Sequence, residues 1–442
     1  MSCIERQRFT LGHRLGAMIA IGIFVFGVGL TIARIGIQYQ TPGPFDHDSQ
    51  GLCDFHNGLY FPTIALLKGL SPYGAEYAAS YPVARQIPFF SPSILVLHAP
   101  FAMMPLTVAE VTFVSLSVIM LLAIAGLVVR SIDTPIRVDY VFAIAALTVF
   151  SRGGHITLFD GYFTFELILA TFAAIHYGKT KPWLAAIALA VVSAKPTYIL
   201  PLGFLLLFRG NVRAIVLGAI LSVVTTLGPM LWLAHHEGGG DMVHGIETLV
   251  DQISQAQEIH RADQDESPIH SWTRIDLLAV IAKWTGDDPK EALHLIVMGI
   301  VLAPVLFLLN RRRRQGIDDG LTGLTGALIL TAMLVSLYHQ SYDSMLMVAP
   351  IAGLVLGANG FWRQFDHRTR FLVAALMLLP LYNYFSTRSL IRILDGGEVM
   401  TRIFTSLNGV SLAILLVILL VLGLRYTGSP NRTRFGDQAR AA

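Results

Sequence analysis

The chain has 442 residues, of which 54% are hydrophobic and only 14% charged, and its mean hydropathy is +0.60. Soluble proteins carry about 25% charged residues, so a soluble multidomain protein is excluded and an all-α polytopic membrane protein is expected. The net charge of +3 hides an uneven distribution that sets the expected orientation.

In chain order, apolar stretches at 15–37, 108–129, 138–151, 156–177, 181–194, 196–208, 212–234, 291–309, 320–338, 342–358, 369–386 and 404–425 read as twelve transmembrane spans. A straight helix needs about 20 apolar residues to cross a bilayer. The shorter stretches at 138–151, 181–194 and 196–208 are therefore expected to be shielded by neighbours or to line a cavity. The segment 91–105, broken by Pro92, Pro100 and Pro105, is expected to be re-entrant or interfacial. With that assignment one side holds 20 of the 32 Lys and Arg but only 7 of the 29 acids, as the positive-inside rule requires of short cytoplasmic loops. That side has a surplus of 13 positive charges and the remainder a deficit of 10. Both termini and Arg311–Arg314 fall inside, and the arginine run reads as a topology anchor rather than a nucleic-acid patch. The first span follows a short basic stretch without a small-residue cleavage pattern, so a retained signal-anchor is expected. Cys3 and Cys53 fall on opposite sides, which excludes a disulfide between them.

Residues 1–442 then form one integral membrane domain with two substantial outer loops, 38–90 and 235–290. In the first, apolar positions at Phe55, Leu59, Ile64, Ala65 and Leu67 predict a short amphipathic helix at the interface. Gly69 suits its C-terminus and Ser71-Pro72 stops it. Asp54 stands at the start of that helix, where an aspartate can simply cap the amide N–H groups. The second loop carries His235, His236, His244, His260 and His270 among acids, without the helical His/Glu spacing of a zinc peptidase; no metal is assigned.

Polar groups concentrate in short turns at span ends: Arg152-Gly153-Gly154-His155, Ser193-Ala194-Lys195-Pro196 and Tyr338-His339-Gln340-Ser341-Tyr342-Asp343. Lys195 lies between apolar runs, where an unpaired ammonium costs about 2.5–3.5 kcal/mol on insertion scales, although snorkelling to the interface would relieve it. Three basic or imidazole turns facing an acidic loop suggest a pocket for an anion near the bilayer surface, and hence a lipid-linked phosphate. Glu166, within the span 156–177, is expected to bond a neighbouring helix.

These residues resemble those of glycosyltransferase family 87. The resemblance rests on Asp54 followed by an apolar helix, on Gly69-Leu70-Ser71-Pro72-Tyr73 and Tyr81-Pro82, and on the stretch from Gly153 to Arg213 with Ala194-Lys195-Pro196. It continues in the His339–Pro350 turn. It implies the C-type membrane glycosyltransferase fold and a bacterial plasma-membrane enzyme acting on the extracytoplasmic face. It further implies inverting transfer of a hexose, mannose by the resemblance, from a polyprenyl-phosphate sugar to a glycan or glycolipid acceptor, with Asp54 as general base. Lys195, Arg152 and His339, in that order, are the expected cations at the donor phosphate. His155, Tyr342, Asp343 and His56 are the expected sugar or acceptor contacts. No cofactor or nucleic acid enters this reading, and no divalent metal is required because phosphate is itself a good leaving group; the partners are donor, acceptor and bilayer. The departures are Gly154-His155 and Thr157 where the family often has Gly-Gln and Asn, and Asp265-Glu266-Ser267 in the second loop; they bear on sugar and acceptor identity. A transporter or lipid flippase, and a non-catalytic envelope scaffold, are the rival readings.

Overall fold

In the computed structural model the described residues are 3–42, 50–83, 91–132, 137–262, 266–356, 360–394 and 396–425. The remaining part of the first expected loop lies outside them. Among the described residues the fold is helical, and one isolated bridge between Arg274 and Gln340 is the sole strand-like pairing.

α1 (Cys3–Ile37) is followed by a π-helical turn, Phe55–Tyr60, that runs directly into α2 (Phe61–Leu67). Short α3 (Ala75–Ser80), α4 (Pro92–Leu97) and α5 (Ala99–Ala102) precede the long α6 (Leu106–Ser131). Then come α7 (Val138–Val149), α8 (Arg152–Asp160), α9 (Thr164–Tyr177), α10 (Pro182–Val192), α11 (Pro196–Arg209) and α12 (Val212–Glu237). α13 (Met242–Ala262) and α14 (Leu277–Thr285) lead to α15 (Glu291–Arg314) and α16 (Leu324–Ser336). A 3-10 segment, Ser341–Met347, continues into α17 (Val348–Leu356). α18 (Gly360–Arg363), α19 (His367–Tyr382), α20 (Arg388–Leu394) and α21 (Gly397–Arg425) follow.

Among the described residues, five helices are long and apolar enough to cross a bilayer alone, and six if the pair α7–α8 counts as one broken span. The expectation of twelve full crossings is not reached by this measure. α9, α10, α11 and α16 have 14, 11, 14 and 13 residues, or roughly 17–21 Å at the α-helical rise, against a hydrocarbon core of about 30 Å. α9 and α16 are largely enclosed by the bundle, whereas α10 and α11 expose apolar side chains such as Ile187 and Leu200. Every residue of α16 is buried, whereas the apolar window of α12 is only 11% buried.

Local chemistry explains the breaks. The expected span 138–151 ends at Ser151, and the expected span 156–177 is cut at Gly161. Ser151 stops α7 and caps α8, its Oγ accepting the Gly154 N–H at 2.9 Å, and the two helices meet at 76°. Gly161 at φ +74° then ends α8, in the left-handed region that glycine enters without steric penalty. A Cβ on Gly161 would sit 2.7 Å from Phe55 Cβ, so the turn and the start of the π-helix interlock.

The segment 91–105 consists of α4 and α5, of six and four residues, too short to cross. At their junction His98 bonds Ile94 O at 2.7 Å and Glu166 Oε1 at 3.0 Å, so Glu166 does hold a neighbouring element. The helix expected over 55–67 forms, ending before Gly69 at φ +76°, but it is not laid against an interface with one face free. Phe55 to Thr63, Ala65 and Leu66 are all buried, with Phe55 stacked on Phe113 of α6 at 4.7 Å. The polar position His56 can be buried because its Nε2 meets Glu110 Oε1 at 2.6 Å.

Two polar clusters occupy opposite ends of α11. Lys195 precedes its first residue and Arg209 is its last, about 21 Å away for 14 residues. Arg209 and Lys179 share Asp318, and nearby Arg312 pairs with Asp319 at 3.1 Å. Asp319 also accepts the first N–H groups of α16, from Leu324 and Thr325 at 2.9 and 2.8 Å. α16 then runs to the other cluster, where His339 follows its end.

Candidate active site

The cluster at the far end of α11 and α16 is built around Asp343. This carboxylate is wholly buried, and Lys195 is only 6% exposed. Lys195 Nζ donates to both Asp343 oxygens, at 3.1 and 3.0 Å. Tyr198 OH donates to Oδ1 at 2.6 Å. His339 Nδ1 stands 2.9 Å from Oδ2, and the Gln340 amide donates to the same oxygen at 2.9 Å. Five polar contacts on one carboxylate satisfy the rule that a buried charge must be paired and hydrogen-bonded. The ammonium also lies 4.9 Å and 5.1 Å from the ring centroids of Tyr198 and Tyr342. His339 is fully buried, and its Nε2 has no hydrogen-bond partner among the described residues.

Tyr162 connects this cluster to Asp54. Its ring packs on that of Tyr342 at 5.2 Å, their hydroxyls interact, and the Tyr162 oxygen lies in the combined field of Asp54, Asp343 and Glu266. Glu266 is held by the Tyr338 hydroxyl and by Gln340 Nε2, the latter at 3.0 Å. Behind it Arg274 forks onto Asp276 with two bonds of 3.0 Å and lies over the Tyr338 ring. Burial opposes ionisation of Asp276, but the Arg274 charge and its hydrogen bonds outweigh that, and the carboxyl pKa is lowered. The main chain closes this loop on the site, the Ile275 N–H donating to His339 O at 2.9 Å.

Asp54 is positioned by an unusual stretch of backbone. Leu52 has φ +64°, the sole positive value for a non-glycine among the described residues, and its N–H donates to Phe159 O at 2.8 Å. Asp54 occupies the N-cap position of the π-helix with αR backbone, and its side chain makes no capping hydrogen bond. The plain capping role that its position suggested is therefore not the one it has.

The structure thus brings Lys195, His339, Tyr342 and Asp343 together and places Asp54 in the same electrostatic neighbourhood. Arg152 is on α8 with its guanidinium on the Ser386 hydroxyl and has no carboxylate partner among the described residues. Its neighbour Gly153 approaches the Tyr342 backbone so closely that a Cβ would stand 2.9 Å from Tyr342 Cα. His155 and His56 do not join. The His155 ring contacts Thr31 Oγ1 at 3.0 Å and Arg34 Nη1 at 2.7 Å. The His56 ring contacts Glu110 at 2.6 Å and Gln50 at 3.5 Å. Neither imidazole keeps a nitrogen for a sugar hydroxyl. Tyr162, Tyr198 and Arg274 were missed, and Glu266 was noted only as a departure in the second loop; Tyr198, one helical turn after Lys195, is the one whose spacing could have been noticed.

The sequence profile of glycosyltransferase family 87 matches residues 89–337, more than half of the chain. The chain belongs to glycosyltransferase family 87. It is therefore an integral membrane glycosyltransferase, which sets aside the transporter and scaffold readings. Lys195, Arg152, Glu266 and Arg274 fall within the matched stretch, whereas Asp54 and His339 to Asp343 lie beyond its two ends. No curated protein matches the chain.

Proposed function

We propose that this family-87 enzyme transfers a hexose, mannose by its resemblance, from a polyprenyl-phosphate sugar to a hydroxyl of a glycan or glycolipid, with inversion and with Asp54 as general base. The observation that carries the reading is that Asp54, at the start of the π-helix, shares the field around Tyr162 with Asp343 and Glu266. In the reaction Asp54 takes the acceptor proton while the acceptor oxygen attacks the anomeric carbon. The bond from that carbon to the phosphate oxygen breaks on the opposite face, and its electron pair leaves with the polyprenyl phosphate.

Cations fixed beside that leaving group favour the transition state. The order expected from sequence placed Lys195 first, but its charge is matched by Asp343. In this proposal Arg152, with no carboxylate partner among the described residues, carries most of the attraction for the phosphate. His339 stands beside it with its Nδ1 held on Asp343, and Lys195 holds Asp343, which orients His339. Tyr342 lines the sugar side. The active end faces the extracytoplasmic side in this reading, with Arg311–Arg314 on the cytoplasmic side. In support, short basic segments gather at one end of α11 and α16 and the site at the other.

The test compares purified, monodisperse parent and Asp54→Asn protein in transfer from labelled polyprenyl-phosphate mannose. Asparagine keeps the shape but cannot take the proton, so donor binding and unfolding should be unchanged while turnover falls at least about a hundredfold. Near-normal turnover would refute the assignment of the base.

A further inference from the structure

We infer that the end of α15 holds the phosphodiester headgroup of an anionic bilayer phospholipid between Arg311 and Arg314. α15 is of crossing length from Ala292 onward, and its last turn consists of four arginines that are not equivalent. Arg312 is buried and donates to Asp319 at 3.1 Å. Arg313 donates to Asn310 Oδ1 at 3.1 Å. Arg311 and Arg314 have no ion pair with the described residues, and their spacing of three places them on one helix face.

Beside that face is a hollow of about 320 Å³ lined by Phe307, Asn310, Arg311, Arg314 and Gln315. No carboxylate lines it. The Asn310 carbonyl oxygen is already engaged by Arg313, so its amide N–H groups remain to donate, and Gln315 supplies a second amide. Phe307 is 62% exposed, on the same side of the helix one turn deeper into the apolar run. The rim therefore offers two guanidiniums and amide donors, and the floor an aromatic ring where acyl chains begin.

The carbonyls at a helix C-terminus repel an anion, so the hollow can hold one only because both guanidiniums outweigh them. Guanidinium forks match phosphate oxygens two at a time, which an ammonium cannot do. The ring floor on an apolar helix end points to a lipid rather than to free phosphate, whose ligands would be polar all round. Anionic lipids are drawn to basic clusters at span ends.

The test uses the full chain purified in mild detergent, titrated with phosphatidylglycerol or phosphatidylcholine and read by native mass spectrometry. Phosphatidylglycerol should be retained in preference, and Arg311→Gln/Arg314→Gln should lower its affinity at least about tenfold. Arg311→Lys/Arg314→Lys keeps both charges for membrane insertion and should lose affinity about threefold, because the forks are gone. Equal retention of the two lipids, or unchanged phosphatidylglycerol binding in both variants, would overturn the inference. Displacement of the lipid by millimolar inorganic phosphate would assign the hollow to free phosphate and overturn it as well.

Discussion

Replacing Lys195 by Met keeps much of the side chain's length and apolar stem but removes its charge. Asp343 is then left 0% exposed with Tyr198, His339 and the Gln340 amide as its remaining polar partners. Removing one member of a buried pair costs about 3–5 kcal/mol, because a charge stays buried without compensation. Three surviving partners put Lys195→Met near the lower figure, about 3 kcal/mol. The double variant Lys195→Met/Asp343→Asn removes the stranded charge, and the Asn oxygen still accepts from Tyr198 or the Gln340 amide. It should lose only about 1–2 kcal/mol, the scale of a weakened hydrogen-bond set. The two substitutions are thus expected to couple by more than about 1 kcal/mol. The assay is denaturant unfolding of the four purified proteins in one detergent, followed by tryptophan fluorescence. If Lys195→Met unfolds within about 0.5 kcal/mol of the parent, the usual range for an unconnected surface site, Asp343 does not depend on Lys195. The lysine would then be available for the donor phosphate, and Arg152 would lose its place as the leading cation.

Gly161→Ala should destabilise the protein by at least about 1–2 kcal/mol, from left-handed backbone alone. It should also lower turnover, because the new Cβ would press on Phe55, the residue after Asp54; unchanged unfolding and activity would contradict the packing described. Burial pulls the Lys283 pKa down from 10.5 to about 7, with Asp276 opposing and the Arg274 and Arg152 charges adding to the fall. Between about pH 7 and pH 10.5 the unfolded chain therefore binds more protons than the folded one at this site, and the stability contribution rises with pH across that window. Lys283→Met, measured beside the parent at pH 7 and pH 10, should lack that part of the slope; parallel pH profiles would count against a buried lysine at this position.

Those parts of the molecule were legible in the sequence that depend on local chemistry. A lysine between two apolar runs has to be paired or reach water, and Lys195 is paired. Pro92, Pro100 and Pro105 interrupt an apolar segment, and short helices result. Longer-range partners left no local sign. Glu266 lay among many loop acids, and nothing near it specified Tyr338 and Gln340, more than 70 residues away. Glu110 sat at the start of an apolar stretch that read as an ordinary span, although it is what allows His56 to be buried. Apolar content reads as twelve crossings, where five helices, or six with α7–α8 taken together, are long and apolar enough among the described residues. A fully buried helix inside a bundle and a lipid-facing span are equally apolar, so α16 and α12 look alike by hydropathy although one is enclosed and the other mostly exposed.

The backbone around Asp54 argues for function more strongly than composition did. An aspartate before an apolar helix could cap an ordinary α-helix, which would satisfy an N–H group and stabilise the fold by about 1 kcal/mol. The chain instead has left-handed backbone at Leu52, a π-helical turn from Phe55 to Tyr60 and no capping bond from Asp54. Left-handed non-glycine residues cost about 1–3 kcal/mol, and π turns are uncommon outside functional sites. These departures persist because the surroundings hold them. Leu52 is tied to Phe159, Phe55 is seated against Phe113 and Gly161, and His56 is fixed to Glu110. The arrangement sets the Asp54 carboxylate in the field around Tyr162, among the residues that arrive from α11, α16 and the 266–276 loop. The substitution Asp54→Asn separates a base from a structural carboxylate, because asparagine keeps the shape of the side chain and cannot take a proton from an acceptor hydroxyl.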